Sequence, residues 1–162
     1  MQKRWPAWRR SVVPSRYAAP SPTLKVVLDT CIYKLATLPN PVNPAALIVE
    51  LCLAEMIHAW VSPAMIEEYQ EVLAEYPELL HRIVSAIELC YPLTELDIIR
   101  HKPDNRFLEC ALAVPVDCII TVNTARGHFD QPDYQGVKVL TPGAFLNLPA
   151  VQKLVRKHFE AT

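Results

Sequence analysis

Four oxygen-bearing side chains stand where divalent-cation chemistry would need them: Asp29, Glu68, Asp104 and Asn123, with Thr121 two residues before the last. Asp29 directly follows a short apolar run, Leu24 to Leu28. Thr121 and Asn123 close a second run, Asp117 to Val122. If both runs are parallel strands, these groups meet at one sheet edge, beyond the strands' carboxyl ends, where open α/β sheets bind ligands. Asp104 opens a helical segment and falls on the same wheel face as Phe107, Leu108, Ala111 and Leu112, whereas Glu109 turns away. Glu68 lies beside Val72 at the rim of another apolar helix face, and Glu67, Glu71 and Glu75 turn further towards water. Carboxylates gathered without counterions repel one another and raise each other's pKa. A hard divalent cation relieves that repulsion, and oxygen-only ligands suit Mg²⁺ or Mn²⁺ rather than zinc. Such an ion polarises a phosphoryl oxygen and acidifies water, the route to phosphodiester hydrolysis.

Each residue also has a purely structural role open to it. Asp29 and Asp104 could cap the helices they precede. Glu68 could be a solvated helix residue and Asn123 a turn residue.

The elements that must position these groups alternate between strand and helix. Leu24–Leu28 (LKVVL) reads as a buried parallel strand. A short helix is expected over Cys31–Leu38, and another over Pro44–Met56 with proline in its first turn. His58–Val61 reads as a brief strand. Ser62 and Pro63 then open a helix as N-cap and first residue, with Met65, Ile66, Tyr69, Val72, Leu73 and Tyr76 on one face. Further helices are expected over Leu79–Leu89, from Pro103 to Ala113, and over Pro149–Phe159. Additional strands are expected near Leu93–Ile99, over Asp117–Val122 and over Val137–Leu140. This alternation predicts an α/β fold, a three-layer α/β/α sandwich around a parallel central sheet.

The 162 residues suit one domain, expected over residues 23–162, preceded by a basic, proline-rich flexible tail over 1–22. That tail carries Lys3, Arg4, Arg9, Arg10 and Arg16 with no acid. The remainder has 11 Lys and Arg against 17 Asp and Glu, a balance of −6. Trp5, Trp8 and Tyr17 interleave with the cations, so the tail reads either as a nucleic-acid contact or as a free terminus. Only 3 glycines are present, and neither the P-loop nor the dinucleotide-binding signature occurs. Five cysteines, with no C-x-x-C, sit in apolar segments and point to reduced, buried thiols in a cytoplasmic protein. None of the five histidines forms an H-x-x-x-H pair. No apolar run reaches membrane-spanning length.

The segments VVLDTCIY, SPAMIEEYQEVL and PDNRFLECALAVPVDCIITVN resemble, in order and distance, the successive blocks of the PIN-domain family. The resemblance spans about residues 24 to 145. It is nearest the bacterial members described as toxins of toxin–antitoxin pairs. It implies a divalent-metal-dependent endoribonuclease that leaves a 5′-phosphate, with Mg²⁺ or Mn²⁺ held by Asp29, Glu68, Asp104 and Asn123. It further implies that Thr121, and with it Thr30, orients the ligands. Expected partners are an RNA substrate, an antitoxin protein that fills the groove, and a second copy in a homodimer, with no membrane.

The chain departs from the family pattern at three places. Asn123 stands where many relatives have Asp, which removes a negative charge. Cys31 stands where Asn or Ser is common. Lys102 stands where another acid is common, and could reach RNA phosphate or pair with Asp104. These departures motivate the alternative of a catalytically weakened PIN-fold module that binds RNA or a partner protein. His128, in an N-x-x-x-x-H-F ending, could touch substrate or simply pack, and Arg126 could contact phosphate. A third class, an aspartate-nucleophile phosphatase using Asp29, lacks the usual D-x-D because residue 31 is cysteine.

Overall fold

A computed structural model describes residues 23–162; the basic segment 1–22 lies outside the described residues. Strand β1 (Lys25–Leu28) leads into α1 (Thr30–Ala36) and α2 (Pro44–Leu53). Then come β2 (His58–Val61), α3 (Pro63–Val72), α4 (Pro77–Ala86) and β3 (Glu88–Leu89). A 3₁₀ turn (Lys102–Asp104) opens α5 (Asn105–Ala113), which is followed by β4 (Cys118–Ile120). The hairpin β5 (Asp133–Tyr134) and β6 (Val137–Leu140), then α6 (Pro142–Leu146) and α7 (Pro149–Glu160), complete the chain.

The sheet order is β3-β2-β1-β4-β6-β5. Every pairing is parallel except β5 with β6. The expected α/β architecture is therefore present, with one antiparallel edge. That edge has a local cause: the two-residue loop Gln135–Gly136 has φ of 55° and 88°. Positive φ at both positions is the type I′ geometry that closes a tight hairpin. The chain runs outwards from β1 through β2 to β3, then crosses back to β4 on the other side of β1. Right-handed crossovers place helices on both faces when the direction reverses in this way. The reversal also leaves a crevice between the ends of β1 and β4.

The central strands are apolar throughout because both faces are covered: Val26, Val27, Leu28, Ile119 and Ile120 are fully buried. Each contributes about 1.5–3 kcal/mol of burial. Tyr69 of α3 is also fully buried, and its hydroxyl donates to the Leu28 carbonyl at 2.7 Å. This bond ties α3 to the last residue of β1, immediately before Asp29. Tyr69→Phe is expected to cost about 1 kcal/mol, because one buried carbonyl loses a donor. A thermal melt lower by a few degrees at unchanged helix content would show it.

Several expected boundaries move. The second helix stops at Leu53 rather than Met56, because Glu55 takes a φ of 57° and turns the chain. The Ser62 helix ends at Val72, short of Tyr76, and Ser62 holds the cap position without a side-chain bond. The helix expected over Leu79–Leu89 ends at Ala86. Glu88 and Leu89 instead pair with Trp60 and Val61 as β3. With that slot beside β2 filled, the strand expected near Leu93–Ile99 does not form. Its last two amides, of Ile98 and Ile99, donate instead to Asn105 Oδ1 at 3.0 and 2.9 Å. Among the described residues, no helix is long and apolar enough to cross a membrane.

Candidate metal centre

The sheet register brings Asp29 beside Thr121. The Asp29 amide donates to the Ile120 carbonyl at 3.0 Å, and the Thr121 amide to the Leu140 carbonyl at 3.0 Å. The β1–β4 and β4–β6 ladders thus each continue one step past the strand ends. Thr121 Oγ1 donates to Asp29 Oδ2 at 2.6 Å, and Asn123 Nδ2 donates to the same oxygen at 3.2 Å. Asp29 Oδ1 accepts the Cys31 amide at 3.4 Å, so the carboxylate also caps α1. The cap role uses Oδ1 and leaves Oδ2 to Thr121 and Asn123.

Asn123 likewise joins a turn role to its contact with Asp29. Its amide N–H donates to Thr121 Oγ1 at 2.9 Å, and its carbonyl accepts from the Phe129 amide at 3.1 Å.

Asp104 is buried and precedes α5 without capping it. Its side chain turns instead to two imidazoles. His101 Nδ1 lies 3.0 Å from Oδ1, and His128 Nδ1 lies 2.9 Å from Oδ2. Asp104 is close enough for its charge to act on Asp29.

Glu68 is half-buried, whereas Glu67 is exposed. Thr30 Oγ1 donates to Glu68 Oε1 at 2.7 Å, and Arg106 Nη1 sits 3.1 Å from Oε2. Lys102 pairs with Asp97 and not with Asp104.

Electrostatics mark Asp29 as the strained carboxylate. Burial, opposed by the Thr121 hydrogen bond and reinforced by the charge of Asp104, pushes its pKa above the ordinary 3.8. A raised acid pKa favours the folded state fully below the ordinary value. That contribution is lost as pH rises through the raised value and the charged form must be kept buried. A bound divalent cation stabilises the charged form. The rise in melting temperature on adding Mn²⁺ is therefore expected to grow from acid to neutral pH. A rise independent of pH would remove Asp29 from the ligand set. The neighbouring Cys31 thiol is pushed up to about 12 by burial and by Asp29, so it is a neutral thiol and not a resting nucleophile.

The oxygen donors are of the type a hard divalent ion takes, but among the described residues the three ligand atoms that converge are those of His101, Asp104 and His128, not those of Asp29, Glu68 and Asp104. Asp29 and Asp104 are buried together, and among the described residues neither is paired with lysine or arginine. Two participants were missed in the sequence. His101 is the first member of an H-x-x-D pair, which one 3₁₀ turn folds onto itself. Arg106 lies two residues beyond Asp104, and only the packing of α5 beside α3 brings it to Glu68.

The PIN-domain family model matches residues 25–125. The chain belongs to the PIN-domain family. The matched span contains Asp29, Glu68, Asp104, Thr121 and Asn123 and ends just before His128. PIN domains are typically nucleases and generally use divalent metal ions. No curated protein and no solved structure matches the chain.

Proposed function

We propose that the chain is a divalent-metal-dependent endoribonuclease, the toxin of a toxin–antitoxin pair, working in the cytoplasm. The reading is carried by one observation: Asp29 is buried at the topological switch point of the sheet, and a second buried carboxylate, Asp104, lies near enough for its charge to raise the Asp29 pKa. Asp29 and Asp104 would hold Mg²⁺ or Mn²⁺, with Glu68 and the Asn123 side chain at the rim. When bound, the ion supplies Lewis acidity towards a phosphoryl oxygen and towards water. Thr121 holds Asp29 in orientation, and Thr30 does the same for Glu68. Arg106, partly exposed beside Glu68, is placed to meet a substrate phosphate. The toxin assignment, an antitoxin partner and a homodimer rest on the resemblance of the sequence blocks.

The test is cleavage of mixed single-stranded and structured RNA in Mn²⁺, Mg²⁺ or EDTA by protein purified free of any partner. Cleavage that EDTA abolishes supports the reading. Intact RNA in every metal, from folded protein, sinks it.

A second reading has specific support. The Asn123 amide satisfies Asp29, Arg106 neutralises Glu68 and two imidazoles meet Asp104, so all three carboxylates are partnered without an ion. That favours a PIN-fold module that binds RNA or a partner protein with weakened catalysis. Asn123→Asp separates the two readings. It replaces a donor to Asp29 with another carboxylate, so it is expected to lower the melting temperature in EDTA and to tighten Mn²⁺ binding by about tenfold. Cleavage that appears only in this variant identifies the natural chain as the binding module. Calorimetric titration that finds Mn²⁺ affinity unchanged removes residue 123 from the site.

A further inference from the structure

His101, Asp104 and His128 converge on one point. Each offers one ligand atom, and these atoms all lie within 4.8 Å of one another. Both rings turn the same nitrogen, Nδ1, to the Asp104 carboxylate, and their centroids are 4.5 Å apart. A tetrahedral site with arms of about 2.0–2.2 Å has edges of about 3.4 Å, so small adjustments bring the three atoms onto one ion. The side chains of His101 and His128 are 48% and 34% exposed over a carboxylate that is 5% exposed, which leaves an approach from solvent.

The backbone holds the two histidine segments in place. The His101 amide donates to the Gly127 carbonyl at 2.7 Å, the Asp104 amide to the His101 carbonyl at 3.0 Å, and the His128 amide to the Ala125 carbonyl at 3.0 Å. Gly127, at φ 92°, makes that turn with a conformation side chains disfavour. Two cations close in sequence to Asp104 pair with other acids, Lys102 with Asp97 and Arg106 with Glu68.

We propose that His101, Asp104 and His128 form a second cation site that selects a d-block ion such as Zn²⁺, Co²⁺ or Ni²⁺. Two imidazoles and one carboxylate are borderline ligands that favour such ions over Mg²⁺, and three protein ligands leave a position open. The site shares Asp104 with the oxygen cluster of the proposed nuclease. An ion held by the histidines therefore draws on the same carboxylate and competes with Mn²⁺ or Mg²⁺ there. The binding site itself stands whether or not the chain cleaves RNA.

The test is a titration of the untagged full chain with Co²⁺, followed by visible absorption and calorimetry, with Zn²⁺ as competitor. One equivalent is expected, with the bands of nitrogen and oxygen ligands and no intense near-ultraviolet thiolate band. His101→Ala and His128→Gln are each expected to weaken Co²⁺ binding by at least about 10-fold, and the double variant to abolish it. His101 is half exposed, so its variant folds, and circular dichroism checks both. Asp29→Asn is expected to keep Co²⁺ binding while losing Mn²⁺-dependent cleavage, which separates this site from the nuclease reading. Absence of Co²⁺ and Zn²⁺ binding, a thiolate band, or undiminished binding in the double histidine variant overturns the proposal.

Discussion

Asp29→Asn is expected to lower divalent-dependent RNA cleavage by at least about 100-fold while leaving the fold intact. The side chain keeps its size, and one oxygen remains to accept from Thr121 or from the Cys31 amide. What disappears is the full negative charge at the centre of the cluster. In the metal-free protein that charge is a burden, since burial and Asp104 both raise the Asp29 pKa. With an ion bound it is the main attraction. The variant should therefore show a much smaller Mn²⁺-induced rise in melting temperature than the natural chain, besides its loss of cleavage. Cleavage within a fewfold of the natural chain, at the same Mn²⁺ concentration, would mean that Asp29 is a helix cap and nothing more.

Thr121→Val is expected to be the most destabilising conservative change at the site. Thr121 is fully buried, donates to Asp29 Oδ2 at 2.6 Å and accepts from the Asn123 amide at 2.9 Å. Valine has nearly the same shape but makes neither bond. A buried carboxylate loses a charge-assisted donor, worth about 1.5–3 kcal/mol, and a backbone amide loses its acceptor, worth about 1 kcal/mol. The sum, about 2.5–4 kcal/mol, corresponds to a fall in melting temperature of roughly 5–15 °C. The Asp29 pKa should climb further, because the hydrogen bond that lowers it is gone. Divalent affinity at neutral pH should drop by about 10–100-fold. Thr121→Ser restores the hydroxyl and should recover most of both effects. Equal loss in the serine and valine variants would show that packing by the methyl group, and not the hydrogen bond, is what residue 121 supplies.

The order of the site along the chain was legible because α/β folds write their functional edge into strand ends. Val26 to Leu28 and Cys118 to Ile120 are apolar on both faces, so they had to be central parallel strands. Asp29 and Thr121 then had to share an edge. Helical periodicity, carried back from α5 into the 3₁₀ turn that opens it, placed Asp104 on the buried side, because a wheel position is a local property of the chain. The short edge β3 was not legible, because two exposed residues carry no periodicity and pair only where β2 leaves an open edge.

The partners of each carboxylate were beyond reach of spacing altogether. Arg106 and Glu68 are 38 residues apart, and His128 and Asp104 are 24 apart. Their meeting depends on how α3, α5 and the 124–128 turn pack round the crevice. The chain's own pattern thus placed Asp29, Thr121 and Asn123 at one strand edge. Folding alone established that Asn123 turns its amide to Asp29, that Lys102 goes to Asp97, and that two histidines close over Asp104. Backbone periodicity constrains residues a few positions apart, whereas such long-range contacts follow from the packing of whole elements.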